Sequence, residues 1–222
     1  MILPFYIYHM KKYFYLLCLL MYSCTSNFDL KEGDLLFQDL DSSPLCYAIE
    51  LVTPGYNGAN LSHIGLIVYN DTKLKVLEAI PPKVMLTSID DFMARSKDEN
   101  GNPKIIVGRL KNEFKNNISQ AVEYSLSKIG SDYDDYFLIN NNSYYCSELI
   151  YEAFKKESIF QLQPMTFLDP ISGDTLQTWK KYYTKLGFKI PQNKLGINPG
   201  IMSLSKNIDI VHTYGFPDKM KK

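Results

Sequence analysis

A cysteine, a histidine and an acid far apart in sequence are the residue types from which a chain builds a thiol nucleophile, its base and the group that orients the base. Four cysteines and three histidines in 222 residues leave few ways to do this. Cys18 and His9 fall in an N-terminal leader and Cys24 directly follows it, which leaves Cys46 and Cys146 with His63 and His212. Cys46 stands mid-helix among Leu45, Ala48 and Ile49, the setting of a buried apolar thiol. Cys146 opens its helix, where free backbone N–H groups and the positive end of the dipole favour a thiolate. A core thiol is the competing reading there. His212 alternates with Ile208 and Ile210 and is read as structural. No C-x-x-C or H-E-x-x-H pair occurs, so neither a metal nor another cofactor is expected.

An orienting acid follows from strand pairing. Ser62–Tyr69 and Thr72–Ala79 read as two strands around Asn70-Asp71. With a two-residue turn there, paired positions sum to 141 and His63 faces Glu78. Such partners have Cβ atoms about 4.5–5.5 Å apart, close enough for a carboxylate to orient an imidazole and favour its protonated form. A three-residue turn would set Glu78 opposite Ile64 and leave only a diagonal contact. A satisfied strand histidine and a solvent-facing acid are the alternatives. Glu148, beside Cys146, is expected to favour the helix N-terminus rather than to bind a cationic substrate group.

The elements that must hold these residues are those of one α/β unit. Expected strands cover 33–38, 84–86, 104–110 and 208–214; expected helices cover about 44–52, 88–94, 113–129, 146–156 and 174–186. Leu149, Ile150, Ala153 and Phe154 place one apolar stripe on the Cys146 helix. With 24 basic and 24 acidic side chains, the chain lacks the excess of Lys and Arg a nucleic-acid binder needs. Lys11 and Lys12 precede an apolar run, Tyr13–Tyr22, too short to span a bilayer core of roughly 30 Å but suited to an export signal. Met10 is the expected start of translation. Leu20-Met-Tyr-Ser-Cys24 resembles a bacterial lipobox, which implies cleavage after Ser23, acylation of Cys24 and a membrane-anchored envelope protein. The expected organisation is residues 1–23 as signal and 24–222 as one catalytic domain.

The motifs together resemble the YiiX-like and YaeF-like permuted members of the NlpC-type papain-fold amidases. The matching pieces are Gly33-Asp-Leu-Leu-Phe37, Ser62-His-Ile-Gly-Leu-Ile67, Val76-Leu-Glu-Ala79, Gly130-Ser-Asp-Tyr-Asp134, Tyr145-Cys-Ser-Glu-Leu-Ile-Tyr151 and Asn198-Pro-Gly with Ser203. Order is the specific part: His63 and Glu78 precede Cys146, the reverse of ordinary papain-fold enzymes. The resemblance implies an α+β fold in which an antiparallel sheet packs against the cysteine helix. It implies Cys146 as nucleophile, His63 as base and Glu78 as third member, with Tyr133 lining the substrate site or serving as a core tyrosine. The implied activity is cleavage of an amide in peptidoglycan or a related small peptide. Acyl transfer to a lipid, and a lipid-anchored binding module with an idle triad, are the competing functions.

Overall fold

The computed structural model describes residues 28–221. The leader, with His9, Met10 and Cys24, lies outside them. β1 (Leu35–Gln38) is buried along its whole length, as an unbroken apolar run on a central strand requires. α1 (Pro44–Val52) starts at Pro44, whose missing N–H leaves nothing unpaired in a first helical turn. β2 (His63–Asn70), β3 (Lys73–Ile80) and β4 (Lys83–Thr87) follow as a meander. α2 (Ile89–Ala94) is capped by Ser88, whose hydroxyl accepts from the Asp91 N–H at 3.1 Å. The chain continues through β5 (Ile105–Leu110), α3 (Ile118–Leu126), α4 (Cys146–Ala153), β6 (Gln163–Pro164), α5 (Gln177–Leu186), β7 (Leu195–Gly196), α6 (Pro199–Ser203) and β8 (Ile208–Thr213).

Six strands form one antiparallel sheet in the order β4-β3-β2-β1-β5-β8, and β6 pairs with β7 apart from it. Alternation along the strands sorts side chains to two faces. Leu35, Phe37, Ile64, Leu66 and Leu77 pack with Leu149 and Ile150 of α4. Leu36, Ile67, Val76, Ile105 and Val107 pack on the other face with Phe92 of α2. The fold is therefore α+β, with the cysteine helix laid on one face of the sheet and a short helix on the other.

The hairpin register differs from the one expected. Asn70 remains paired, with Lys73, and the turn is Asp71-Thr72, with Asp71 at φ 55° in the left-handed region that Asp tolerates. Paired positions sum to 143, not 141. The ladder runs from Asn70–Lys73 to Leu66–Leu77 and stops there although both strands continue. Counting onward, Glu78 comes level with Gly65 and not with His63. A slip of two keeps every side chain on its face, whereas a slip of one would have parted His63 from Glu78.

The helix expected over 113–129 is a 3₁₀ turn, Asn112–Asn117, followed by α3. The apolar spacing runs through both, so periodicity does not mark the break at Asn116-Asn117, residues that favour caps over helix interiors. The short β6–β7 pair and α6 carry no period to read. α6 instead has a capping logic: the Asn198 side chain accepts from the Ile201 N–H at 2.9 Å and donates to Thr53 Oγ1 at 2.7 Å. A Cβ on Gly200 would stand 2.4 Å from the Thr53 carbonyl oxygen, so the Asn-Pro-Gly segment docks α6 against the end of α1.

Candidate active site

Cys146 is the first residue of α4, follows the extended residue Tyr145, and is 7% exposed. The first N–H groups of a helix have no acceptor within it, so the sulfur stands beside unpaired donors. Glu148, the third residue of the helix, is buried, with one carboxylate oxygen accepting from the Asn140 N–H at 3.3 Å. Its other carboxylate oxygen, Oε2, is buried with no hydrogen-bond partner among the described residues. Burial, followed by the charge of Asp134, raises its pKa to about 8. Glu148 is therefore protonated at neutral pH and, contrary to expectation, does not favour the helix N-terminus as a charge; nor does it border the cavity that Cys146 and His63 line.

His63 is the first residue of β2 and 5% exposed. Its Nε2 lies 2.6 Å from Glu78 Oε2, which leaves Nδ1 as the ring nitrogen for the thiol of Cys146. Burial disfavours the charged ring, but hydrogen bonding to Cys146 and Glu78, and their charges, outweigh it and raise the His63 pKa to about 9. Glu78 has no exposed side-chain surface. Burial would raise its pKa, yet His63 and Arg95 hold it down at about 2.

Two partners of Glu78 have no counterpart in the sequence reading. Arg95, just after α2, donates from Nη1 to Oε2 at 2.7 Å and from Nη2 to Oε1 at 2.6 Å. The Thr87 hydroxyl donates to Oε1. Thr87 has the parity of Glu78 across the β3–β4 ladder, where Val76 faces Thr87 and Glu78 faces Met85. That signal was readable; nothing in the sequence points to Arg95, 17 residues away across a helix.

Cys146 and His63 border a cavity of about 420 Å³. Its walls include Leu45, Ile49, Phe137, Met165, Phe167 and Trp179. Among the described residues, no Asp, Glu, Lys or Arg borders it. Tyr133 does, placed by its N–H donating to the Pro82 carbonyl at 2.9 Å and by a bridge to Tyr144. Burial, then the charge of Cys146, raises the Tyr133 pKa well above its ordinary value, so its hydroxyl stays protonated beside Cys146. Cys46 departs from expectation: because α1 starts at Pro44, Cys46 falls in the first turn, half-buried, and borders this same cavity. His212 stacks on Phe28 at 4.3 Å on edge strand β8, outside this cavity.

Among the described residues, Asp39, Asp41 and Asp218 bring carboxylates within 4.8 Å of one another. The Lys104 ammonium stands between them, 3.1 Å from Asp39, 2.5 Å from Asp41 and 3.4 Å from Asp218. The cluster is thus matched to a lysine, not to a metal ion.

A thiol at a helix start, facing an imidazole that a buried carboxylate orients from an antiparallel sheet, defines the papain-like class of thiol hydrolases in permuted order. The chain belongs to the family of permuted papain-like amidases YaeF/YiiX, C92, whose model matches residues 29–212. It is similar to the uncharacterized protein YiiX of Escherichia coli K12, with 24% identity over 169 residues, 76% of this chain and 79% of that protein. The solved structure of YiiX from Escherichia coli O157:H7, described as a metalloprotein, superposes with a TM-score of 0.70 at 22% identity. That match covers 86% of this chain and all of the other. The family is one of cysteine amidases, and this chain is an enzyme of that kind.

Proposed function

We propose that this chain hydrolyses amides through an acyl-enzyme on Cys146 and holds the acyl group of its substrate in the cavity, away from His63. The Cys146 sulfur attacks the amide carbonyl, and the N–H groups at the start of α4 receive the negative charge that develops on oxygen. Protonated His63 gives its proton to the leaving amine as the C–N bond breaks, leaving a thioester. His63 then takes a proton from water, whose oxygen displaces the sulfur and releases the acid. Glu78 fixes the ring and balances its charge throughout.

The observation that carries the substrate reading is the absence of Asp, Glu, Lys and Arg from the cavity lining among the described residues. Wall peptides carry carboxylates and amines, and burying an unpaired charge costs several kcal/mol. An aliphatic acyl chain gains about 0.8 kcal/mol per buried CH₂. A lipid anchor on Cys24 would bring the site to the membrane where such chains reside; this part of the reading rests on the leader alone.

Offering long-chain acyl amides and wall peptides separately, and weighing the intact protein, tests the reading. An acyl adduct on Cys146 from the former, followed by free acid, is expected. An adduct from wall peptides alone would overturn the substrate assignment. Acylation of an added lipid alcohol in place of acid release would make the enzyme a transferase, and full activity in Cys146→Ser would remove the nucleophile. Metabolic labelling with an alkynyl fatty acid, lost in Cys24→Ala, tests the anchor.

A further inference from the structure

We propose that Arg95 is a positioning residue for this reaction, holding Glu78 ionised and aimed at His63; this rests on the assignment of Cys146, His63 and Glu78 above. Glu78 is wholly buried, and a lone buried carboxylate is costly enough to take up a proton instead. A protonated Glu78 would turn the ring by hydrogen bonding but would not support its positive charge. The Arg95 guanidinium prevents this with two parallel bonds of 2.6 and 2.7 Å to the two carboxylate oxygens. A planar fork fixes the carboxylate plane, which a lysine ammonium cannot do.

The support for this fork is itself built in. Arg95 lies over the Phe92 ring at 5.3 Å, and the same ring lies 5.8 Å from His63 on its other contact. The Phe92 carbonyl accepts from Gln38 Nε2 at 2.8 Å, and Gln38 pairs with His63 across β1 and β2. α2 thus braces both members of the His63–Glu78 pair. The other groups facing the pair are Cys146 from α4, with Tyr133 beside it, and the uncharged Thr87 and Gln38. Arg95, Glu78 and His63 thus form a row of alternating charge that ends at the Cys146 sulfur. Removing Arg95 leaves Glu78 with His63 as its one cationic partner in this row, which favours proton uptake by Glu78 and weakens the positive charge His63 holds beside the sulfur.

The test is the pH profile of Cys146 alkylation by iodoacetamide, read by peptide mass, in the full-length chain and in Arg95→Gln and Arg95→Lys. This chemical readout needs no substrate, so a wrong substrate assignment leaves it intact. In Arg95→Gln the profile is expected to move to higher pH by a unit or more, which is at least tenfold in rate on the acid side. Arg95→Lys is expected to restore the position of the profile while kcat on a turned-over amide stays lower. A profile in Arg95→Gln that falls in amplitude without moving would show that Arg95 only packs and would overturn the proposal, as would an unchanged one. Should Arg95→Gln fail to fold, Arg95→Lys with parental kcat would also overturn it.

Discussion

Glu78 and His63 are joined by a 2.6 Å hydrogen bond although they are not partners in the strand ladder. The ladder ends at Leu66–Leu77, and His63 reaches Glu78 diagonally across the place where the two strands separate. The pair is therefore fixed less by backbone hydrogen bonds than by what surrounds the carboxylate.

Removing that carboxylate's charge should move the alkaline limit of activity. The His63 pKa is held at about 9 partly by Glu78, so the active imidazolium is lost as pH rises through that value. In Glu78→Gln the limb should fall to lower pH and kcat/KM at pH 7 should drop by roughly 10²-fold. An unmoved alkaline limb in the measured pH–rate profile would show that Glu78 does not set the charge state of His63.

The two free cysteines should separate by reactivity although both border the cavity. Cys146 has His63 and a helix start beside it, whereas Cys46 has the Ser42 and Ser43 hydroxyls at 3.5 Å. At pH 6.5 iodoacetamide should label Cys146 at least about tenfold faster. The preference should vanish in His63→Ala, and equal slow labelling in the parent would count against an activated thiol.

A charge placed in the cavity should discriminate between substrates. Ile49→Glu introduces a carboxylate with no basic residue among the lining. KM for a long-chain acyl amide should rise by tenfold or more, about 1.4 kcal/mol, while iodoacetamide still labels Cys146. An unchanged KM would place the acyl chain elsewhere.

Glu148 makes stability depend on pH in a direction that can be signed. Its folded pKa of about 8 exceeds the ordinary 4.5, so the folded state binds the extra proton and stability falls as pH rises between those values. The His63 contribution is complete below 6.5 and is lost as pH climbs through about 9. That of Glu78 is present above 4.5 and is lost as pH falls through about 2. Urea titrations from pH 5 to 9 should show Glu148→Gln gaining on the parent as pH rises; a constant difference would mean that Glu148 is ionised throughout.

Gly65 is needed for clearance. A Cβ there would lie 2.3 Å from Val76 Cγ1 and 3.2 Å from Phe92 Cε2. Gly65→Val should cost about 1–3 kcal/mol in denaturant unfolding, with a larger loss of activity than of stability because Phe92 touches both His63 and Arg95. Wild-type stability in this variant would show that the face has room to spare.

What could be read in the sequence was what depends on periodicity and on elimination. Strand alternation placed His63 and Glu78 on one face, and this survived an error in the turn because Asp71-Thr72 and Asn70-Asp71 differ by an even shift. Elimination reduced the thiols to two, and the apolar stripe of Leu149 and Ile150 oriented α4. Arg95 was hidden because its bond to Glu78 depends on how α2 crosses the sheet, which no local pattern encodes. The cavity was hidden for the same reason: Ile49, Phe137, Phe167 and Trp179 come from four separate segments. Cys46 was misplaced although the helix start was read correctly: in a helix that begins at Pro44 it is the third residue and so lies in the first turn, not in the middle.

Cys146 belongs to the hydrophobic cluster on one face of the sheet, while Phe92, with Arg95 over its ring, belongs to the layer on the other. His63 joins them at the start of β2, so in the proposed mechanism the thiol is activated only while both layers are docked. Partial opening of either one, far short of global unfolding, disconnects base from nucleophile or acid from base. By the same mechanism the activity would be self-limiting: a molecule with α2 detached would keep its cysteine helix and most of its core, yet carry an ordinary thiol.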